Sequence, residues 1–138
     1  MPQDWRKAFA CYKRAAEQGH AGAKVALGYC YERGYGIGKN FEAALKLYQE
    51  LADNGHQSGY AGLSVLYAAG WGVEKSPSEA FRLAKLAAES GSLRGQTMLG
   101  FCYEKGVGVV QDAREAVRCY RQAAEQGHGE AQIYLGGC

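Results

Sequence analysis

Four glycines, Gly19, Gly55, Gly91 and Gly127, recur at a constant interval of 36 residues, and each closes a near-copy of Ala-Ala-Glu-Gln-Gly-His. A fixed period of about 20–50 residues belongs to chains that stack one supersecondary unit on the next, so this ladder selects a solenoid before any propensity is considered. In such an array the stable unit is a repeat with its neighbour, not a central core. The register divides the 138 residues into a single repeat array: 1–20 form the second helix of a partial repeat, 21–56, 57–92 and 93–128 are full repeats, and 129–138 begin another.

Each copy reads as two helices. Aligned at the 36-residue period, Asp4, Asn40, Ser76 and Asp112 share one position. All four are good N-caps, because a short side-chain oxygen accepts from the first unpaired backbone N–H groups. Ser76-Pro77-Ser78-Glu79 adds Pro at the first helical position and Glu three residues after the cap, and Asp112-Ala113-Arg114-Glu115 repeats that capping box. Second helices therefore start at Trp5, Phe41, Pro77 and Ala113 and run about 14 residues to the glycine ladder. Glycine ends them because it enters the left-handed conformation without strain. Their inner stripe is Ala8/Tyr12/Ala15, Ala44/Tyr48/Leu51, Ala80/Ala84/Ala87 and Ala116/Tyr120/Ala123, at i, i+4, i+7 spacing.

The first helices carry Leu27-Gly28 with Tyr31, Leu63-Ser64 with Tyr67, Leu99-Gly100 with Tyr103, and Leu135-Gly136. A small residue beside each Leu lets two helix backbones approach. These helices stop at Gly34, Gly70 and Gly106, and a second glycine follows at Gly36, Gly72 and Gly108. Gly34 to Gly38 has the look of a phosphate cradle, but the other copies read Gly-Trp-Gly-Val-Glu and Gly-Val-Gly-Val-Val, with no Lys-Ser/Thr and no preceding strand. Turn chemistry between antiparallel helices accounts for all three.

The pattern Ala-x3-Leu-Gly-x2-Tyr-x2-Gly-x-Gly followed by Ala-x3-Tyr-x2-Ala-Ala-Glu-x-Gly resembles the Sel-one-like repeat, a relative of the tetratricopeptide repeat with a longer inter-helix loop. Gly95 through Gly127 is its best copy, and Ser64 and Ala84 are local departures. The resemblance covers nearly the whole chain. It implies an all-α fold, a right-handed α-solenoid of antiparallel helix pairs whose first helices line a concave surface. It also implies a non-catalytic adaptor or scaffold that binds a protein or peptide there. The alternative from another class is a small-ligand or cell-wall-fragment binding protein, as in a secreted and in part hydrolytic branch. Fold alone does not choose between them.

Function is sought where structure does not dictate the residue. First-helix positions off the Leu/Tyr stripe are Gly22, Val25, Tyr29, Glu32 and Arg33, then Ser58, Ala61, Val65, Ala68 and Ala69, then Arg94, Thr97, Phe101, Glu104 and Lys105. The middle set is small and mostly apolar; the outer two carry an aromatic and an acid–base pair. The expected partner-binding residues are Tyr29, Glu32, Arg33, Val65, Arg94, Phe101, Glu104 and Lys105: an apolar floor between Tyr29 and Phe101, rimmed by Arg33, Arg94 and Lys105. A peptide would bury an apolar side chain on that floor and place carboxylates against the rim.

Other chemistry dissolves in the register. His20, His56 and His128 share one slot, with Ser92 in the remaining copy. Successive members stand about 10 Å apart, the usual spacing of packed helices, too far for one zinc with nitrogen ligands at about 2 Å. No metal and no cofactor are expected. The Glu of each Ala-Ala-Glu is a repeated solvated position, and no Ser/His/Asp or Cys/His set stands out. Formal net charge is +2 with Lys and Arg scattered, which gives nucleic acid no basic stripe. No apolar run nears the roughly 18 residues of a membrane span, and MPQDWRKAFA lacks the apolar stretch of a signal peptide.

Cys30, Cys102 and Cys138 share a register with Leu66, and Cys11 and Cys119 share one with Leu47 and Leu83. Exchange with Leu marks them as small core hydrophobes. Cys11–Cys30 and Cys119–Cys138 are both 19 apart, which departs from the spacing of about seven in the secreted branch of the family. Reduced thiols are expected, favouring a cytoplasmic location for the chain as given, although a parent protein could be exported. By the register both ends fall inside repeats, as in a fragment or a truncated array. Trp5, Phe9 and Tyr12 at one end and Ile133, Tyr134 and Leu135 at the other are complementary halves of one unit, an expected route to a homo-oligomer.

Overall fold

Short caps and glycines punctuate the chain at the positions the register requires. The computed structural model describes residues 5–135, with side chains described from 5 to 126. Seven helices follow one another among them: α1 (Trp5–Glu17), α2 (Ala21–Arg33), α3 (Phe41–Asp53), α4 (Gln57–Ala69), α5 (Pro77–Glu89), α6 (Leu93–Lys105) and α7 (Ala113–Leu135). Each packs on its neighbours in sequence, and α4 also packs on α6. The result is an α-solenoid of antiparallel pairs, with α2, α4 and α6 as first helices and α1, α3, α5 and α7 as second helices.

The caps are made as the sequence predicts. Asn40 Oδ1 accepts from the N–H of Ala43 at 3.0 Å, Ser76 Oγ from that of Glu79 at 3.3 Å, and Asp112 Oδ1 from those of Arg114 and Glu115 at 3.1 and 3.2 Å. The cap expected at Asp4 lies outside the described residues. The first helices are capped by the residue after the ladder glycine: His20 Nδ1 accepts from Ala23 N–H, His56 Nδ1 from Ser58 N–H, and Ser92 Oγ from Gly95 N–H. The histidine slot is thus a helix N-cap, which explains why Ser replaces His there. His128 lies beyond the described side chains.

The glycine ladder ends α1, α3 and α5, with φ of 88°, 76° and 90° at Gly19, Gly55 and Gly91. It does not end α7, which runs unbroken past Gly127 to Leu135. Glycine permits the left-handed turn without imposing it. In the other copies the turn is held by a first helix packed back on the second, with His56 N–H donating to Leu51 O at 2.8 Å. Among the described residues no such helix follows α7, and the helical ladder of bonds continues instead.

Small residues set how closely the layers approach. Tyr48 is fully buried between Gly28 of α2 and Gly62 of α4, where a Cβ would lie 2.8 and 2.5 Å from its ring. The second loop glycine is equally constrained: at Gly36, Gly72 and Gly108 a Cβ would run into the backbone at Trp5, Phe41 and Pro77, the first residue of the preceding second helix. Beside two of these contacts aromatic rings stack, Trp5 on Tyr35 at 4.6 Å and Phe41 on Trp71 at 5.0 Å. The loops are packing devices between repeats, consistent with their sequence reading as turns. The larger core cluster is Ala44, Tyr48, Leu51, Ala52, Leu63, Leu66 and Leu83.

Candidate functional site

The first-helix face carries the positions at which the copies differ, and the structure sorts them into two groups. One is an interlocked cluster at the junction of α2, α3 and α6. Glu32, near the end of α2, is only 3% exposed, and Arg94, at the start of α6, closes on it with Nη2 at 2.9 and 2.8 Å from its two carboxylate oxygens. The Tyr48 hydroxyl from α3 donates to Glu32 Oε1 at 2.8 Å. Two residues 62 apart in sequence therefore join the first full repeat to the third across the middle one. A charge-assisted pair with a third hydrogen bond is what makes a buried carboxylate tolerable.

The electrostatics are mutually reinforcing. Burial pushes the Tyr48 hydroxyl well above the usual phenol range, and Arg94 and Glu32 pull on it in opposite senses. Burial works against the Arg94 charge, but Tyr48 and Glu32 outweigh it, so its pKa ends above the ordinary guanidinium value. Tyr29, 37% exposed, stacks beneath two cations, with Arg33 Cζ 5.0 Å and Arg94 Cζ 5.1 Å from its ring centroid. Arg33 is 48% exposed and its Nε lies 3.7 Å from Glu32 Oε2. Of these two cations one is a strut and the other faces solvent.

The second group lies on α4 and α6. Phe101 is 38% exposed, Glu104 and Lys105 are exposed, and Val65 is half-buried one repeat before Phe101. Glu104 accepts from the Tyr120 hydroxyl at 2.6 Å, the counterpart of Glu32–Tyr48 two repeats later. Burial and then this carboxylate push the Tyr120 hydroxyl up to about 12.

Against the sequence reading, Tyr29, Glu32, Arg33 and Arg94 are brought together, with Val65, Phe101, Glu104 and Lys105 on the neighbouring helices. The difference concerns the rim. Arg94 and Glu32 satisfy one another and do not stand open to a partner, because a buried carboxylate without a cation would be far more costly than a lost surface contact. Ala61 is buried and forms no part of an open floor. Sequence reasoning also placed Tyr48 only in the packing stripe and missed its hydroxyl. The signal was present: the middle copy has Ala68 where Glu32 and Glu104 stand, and Ala84 where Tyr48 and Tyr120 stand, so acid and phenol are lost together.

Cys11, Cys30, Cys102 and Cys119 are unbridged in the structure, and Cys138 lies outside the described residues. Among the described residues no group of three or more His, Cys, Asp or Glu side chains is placed to hold a metal, and no helix is long and apolar enough to cross a membrane. Two shallow clefts of about 350 and 340 Å³ lie elsewhere, along α3 around Gln49, Asp53 and Tyr67. The self-association expected through Ile133, Tyr134 and Leu135 rests on side chains outside the described set.

A family model described as Sel1 repeat matches residues 1–20, 21–56, 57–92 and 93–128. Among solved structures, the chain is similar to a protective antigen of uropathogenic Escherichia coli strains displaying an SLR fold, at 36% identity and a TM-score of 0.72 over 90% of this chain and 27% of that one. It is also similar to a Sel1 repeat protein from Oxalobacter formigenes, at 32% identity and a TM-score of 0.71 over 96% of this chain and 54% of that one. The chain thus spans little more than a quarter of the first and about half of the second. No curated protein matches.

Proposed function

The chain belongs to the Sel1-repeat family, generally one of protein-interaction scaffolds, and from that premise we propose that it is a non-catalytic adaptor holding a protein or peptide segment on its first-helix face. One observation carries this reading: Tyr29 and Phe101 occupy the same repeat position two copies apart, and both remain more than a third exposed with Val65 between them in register. Large aromatics left open on a layer that otherwise packs closely are the side chains that anchor partners, since they bury much area for little lost freedom. Arg33 and Lys105 stand at the edge of the same face and supply polar selectivity.

A random dodecapeptide display library selected on the immobilised full chain tests this. A consensus sequence should emerge, and a synthetic peptide of that sequence should lose binding to Phe101→Asp while the variant keeps its helical spectrum. Failure of any sequence to enrich, or equal binding by Phe101→Asp, removes the first-helix face as the binding surface.

A further inference from the structure

We propose that the Arg33 guanidinium, held over the exposed ring of Tyr29, is a preformed receptor for a single carboxylate of an acidic peptide segment, and that Arg94 supports it without reading the partner. This rests on the adaptor reading above and gives the partner its chemistry.

Charge is the first argument. Two guanidinium groups meet one carboxylate at this cluster, leaving a single positive charge. Arg94 spends its hydrogen bonds on both oxygens of Glu32, at 2.8 and 2.9 Å, and approaches the Tyr48 hydroxyl at 3.5 Å. Arg33 touches the same carboxylate only through Nε at 3.7 Å, beyond hydrogen-bond length, and half of its side chain is open. A planar fork with unfilled donors, next to an anion already claimed by another cation, matches one carboxylate better than a doubly charged phosphate.

Preorganisation is the second. A free arginine side chain loses rotamer freedom when a ligand fixes it. Here the ring of Tyr29 already positions it, with Cζ 5.0 Å from the centroid. The ring is itself positioned by Arg94 at 5.1 Å and by Tyr35 edge-on at 6.3 Å. Tyr35 stacks in turn on Trp5, so the support runs from α1 through the loop to α2. The carboxylate would dock on Arg33, and the adjoining residue of the peptide would lie against the exposed ring edge.

Three fluorescein-labelled peptides decide it by anisotropy with the full chain: leucine alternating with glutamate, with glutamine, and with phosphoserine. The glutamate peptide should bind at least about tenfold tighter than the glutamine one, the effect of one charge-assisted bidentate contact. Arg33→Gln should erase that preference, Arg33→Lys should restore it only in part, and Lys85→Gln on α5 should leave it unchanged. An unaltered preference in Arg33→Gln, equal binding of the glutamine peptide, or no binding of the glutamate peptide each overturns the assignment. Tighter binding of the phosphoserine peptide overturns it in favour of phosphate. In any of these cases the display selection with Phe101→Asp still decides the adaptor reading separately.

Discussion

Gly28 and Tyr48 are so close that a methyl group added to the glycine would sit 2.8 Å from the tyrosine ring. The same relation joins Gly100 and Tyr120, again at 2.8 Å. In the middle copy the tyrosine is Ala84, and Ser64 fills the vacated space, donating from Oγ to Ala80 O at 2.7 Å. Gly–Glu–Tyr and Ser–Ala–Ala are therefore two alternative solutions to one packing problem.

Because the three positions act together, their substitution energies should not add. Gly100→Ser alone should destabilise by about 1–3 kcal/mol through overpacking. Combined with Glu104→Ala and Tyr120→Ala, which recreate the middle-copy set, the loss should be smaller than the sum of the three single losses. Urea midpoints for the singles and the triple measure this; strict additivity would contradict the linkage.

Two neighbouring glycines should respond oppositely to alanine. Gly36 has φ of 75° and faces the Trp5 backbone, so Gly36→Ala should cost about 2 kcal/mol or more. Gly38 has open space around it and no left-handed φ. Gly38→Ala should leave stability unchanged or raise it by about 0.4–1 kcal/mol. Thermal melts of both variants suffice, and equal effects would refute the loop-packing account.

Breaking one side of the Glu32–Arg94 bridge should cost more than removing both. Glu32→Leu leaves a guanidinium at a partly buried site without its partner, a loss of about 3 kcal/mol. Glu32→Leu with Arg94→Met and Tyr48→Phe should recover most of it, because the apolar set needs no desolvation and no buried hydroxyl is left unpaired. Chemical denaturation of the single and triple variants provides the comparison.

Stability should fall in alkali. Burial pushes the Cys102 thiol from 9.0 up to about 11, and Tyr120 from 10.0 up to about 12. Folding favours the protonated form of both, so their contribution is complete below pH 9 and is lost as pH rises through 9–11 for Cys102 and 10–12 for Tyr120. Urea midpoints should be level from about pH 7 to 9 and decline above, with a shallower decline in Cys102→Ala. In the native chain at pH 8, peptide mapping after iodoacetamide should find Cys11 modified and Cys30, Cys102 and Cys119 protected, since the first is exposed and the others are buried.

Helix starts, caps, loops and the packing stripe were legible in sequence because each is set within a few residues of chain and then repeated. Asn40, Ser76 and Asp112 cap as read, and the buried face of α3 and α5 is the one that the spacing gives. The stop expected at Gly127 is not made, and α7 runs on to Leu135. The site was half legible: disagreement between copies picked out Tyr29, Arg33 and Phe101, but it could not tell an open cation from a buried strut.

The sequence by itself determined the repeat, the family, the helix boundaries up to α7 and which positions escape the structural pattern, all properties of local order and periodicity. Only the tertiary structure decided that Arg94 reaches across the middle repeat to Glu32. That contact spans two helices of the first layer with α4 between them, and the small residues Gly28, Gly59 and Gly62 let the layers approach closely; three-dimensional packing and not chain-local spacing brings residues 62 apart within 2.8 Å. With Arg94 drawn inward, Arg33 is the more exposed of the two cations beside Tyr29.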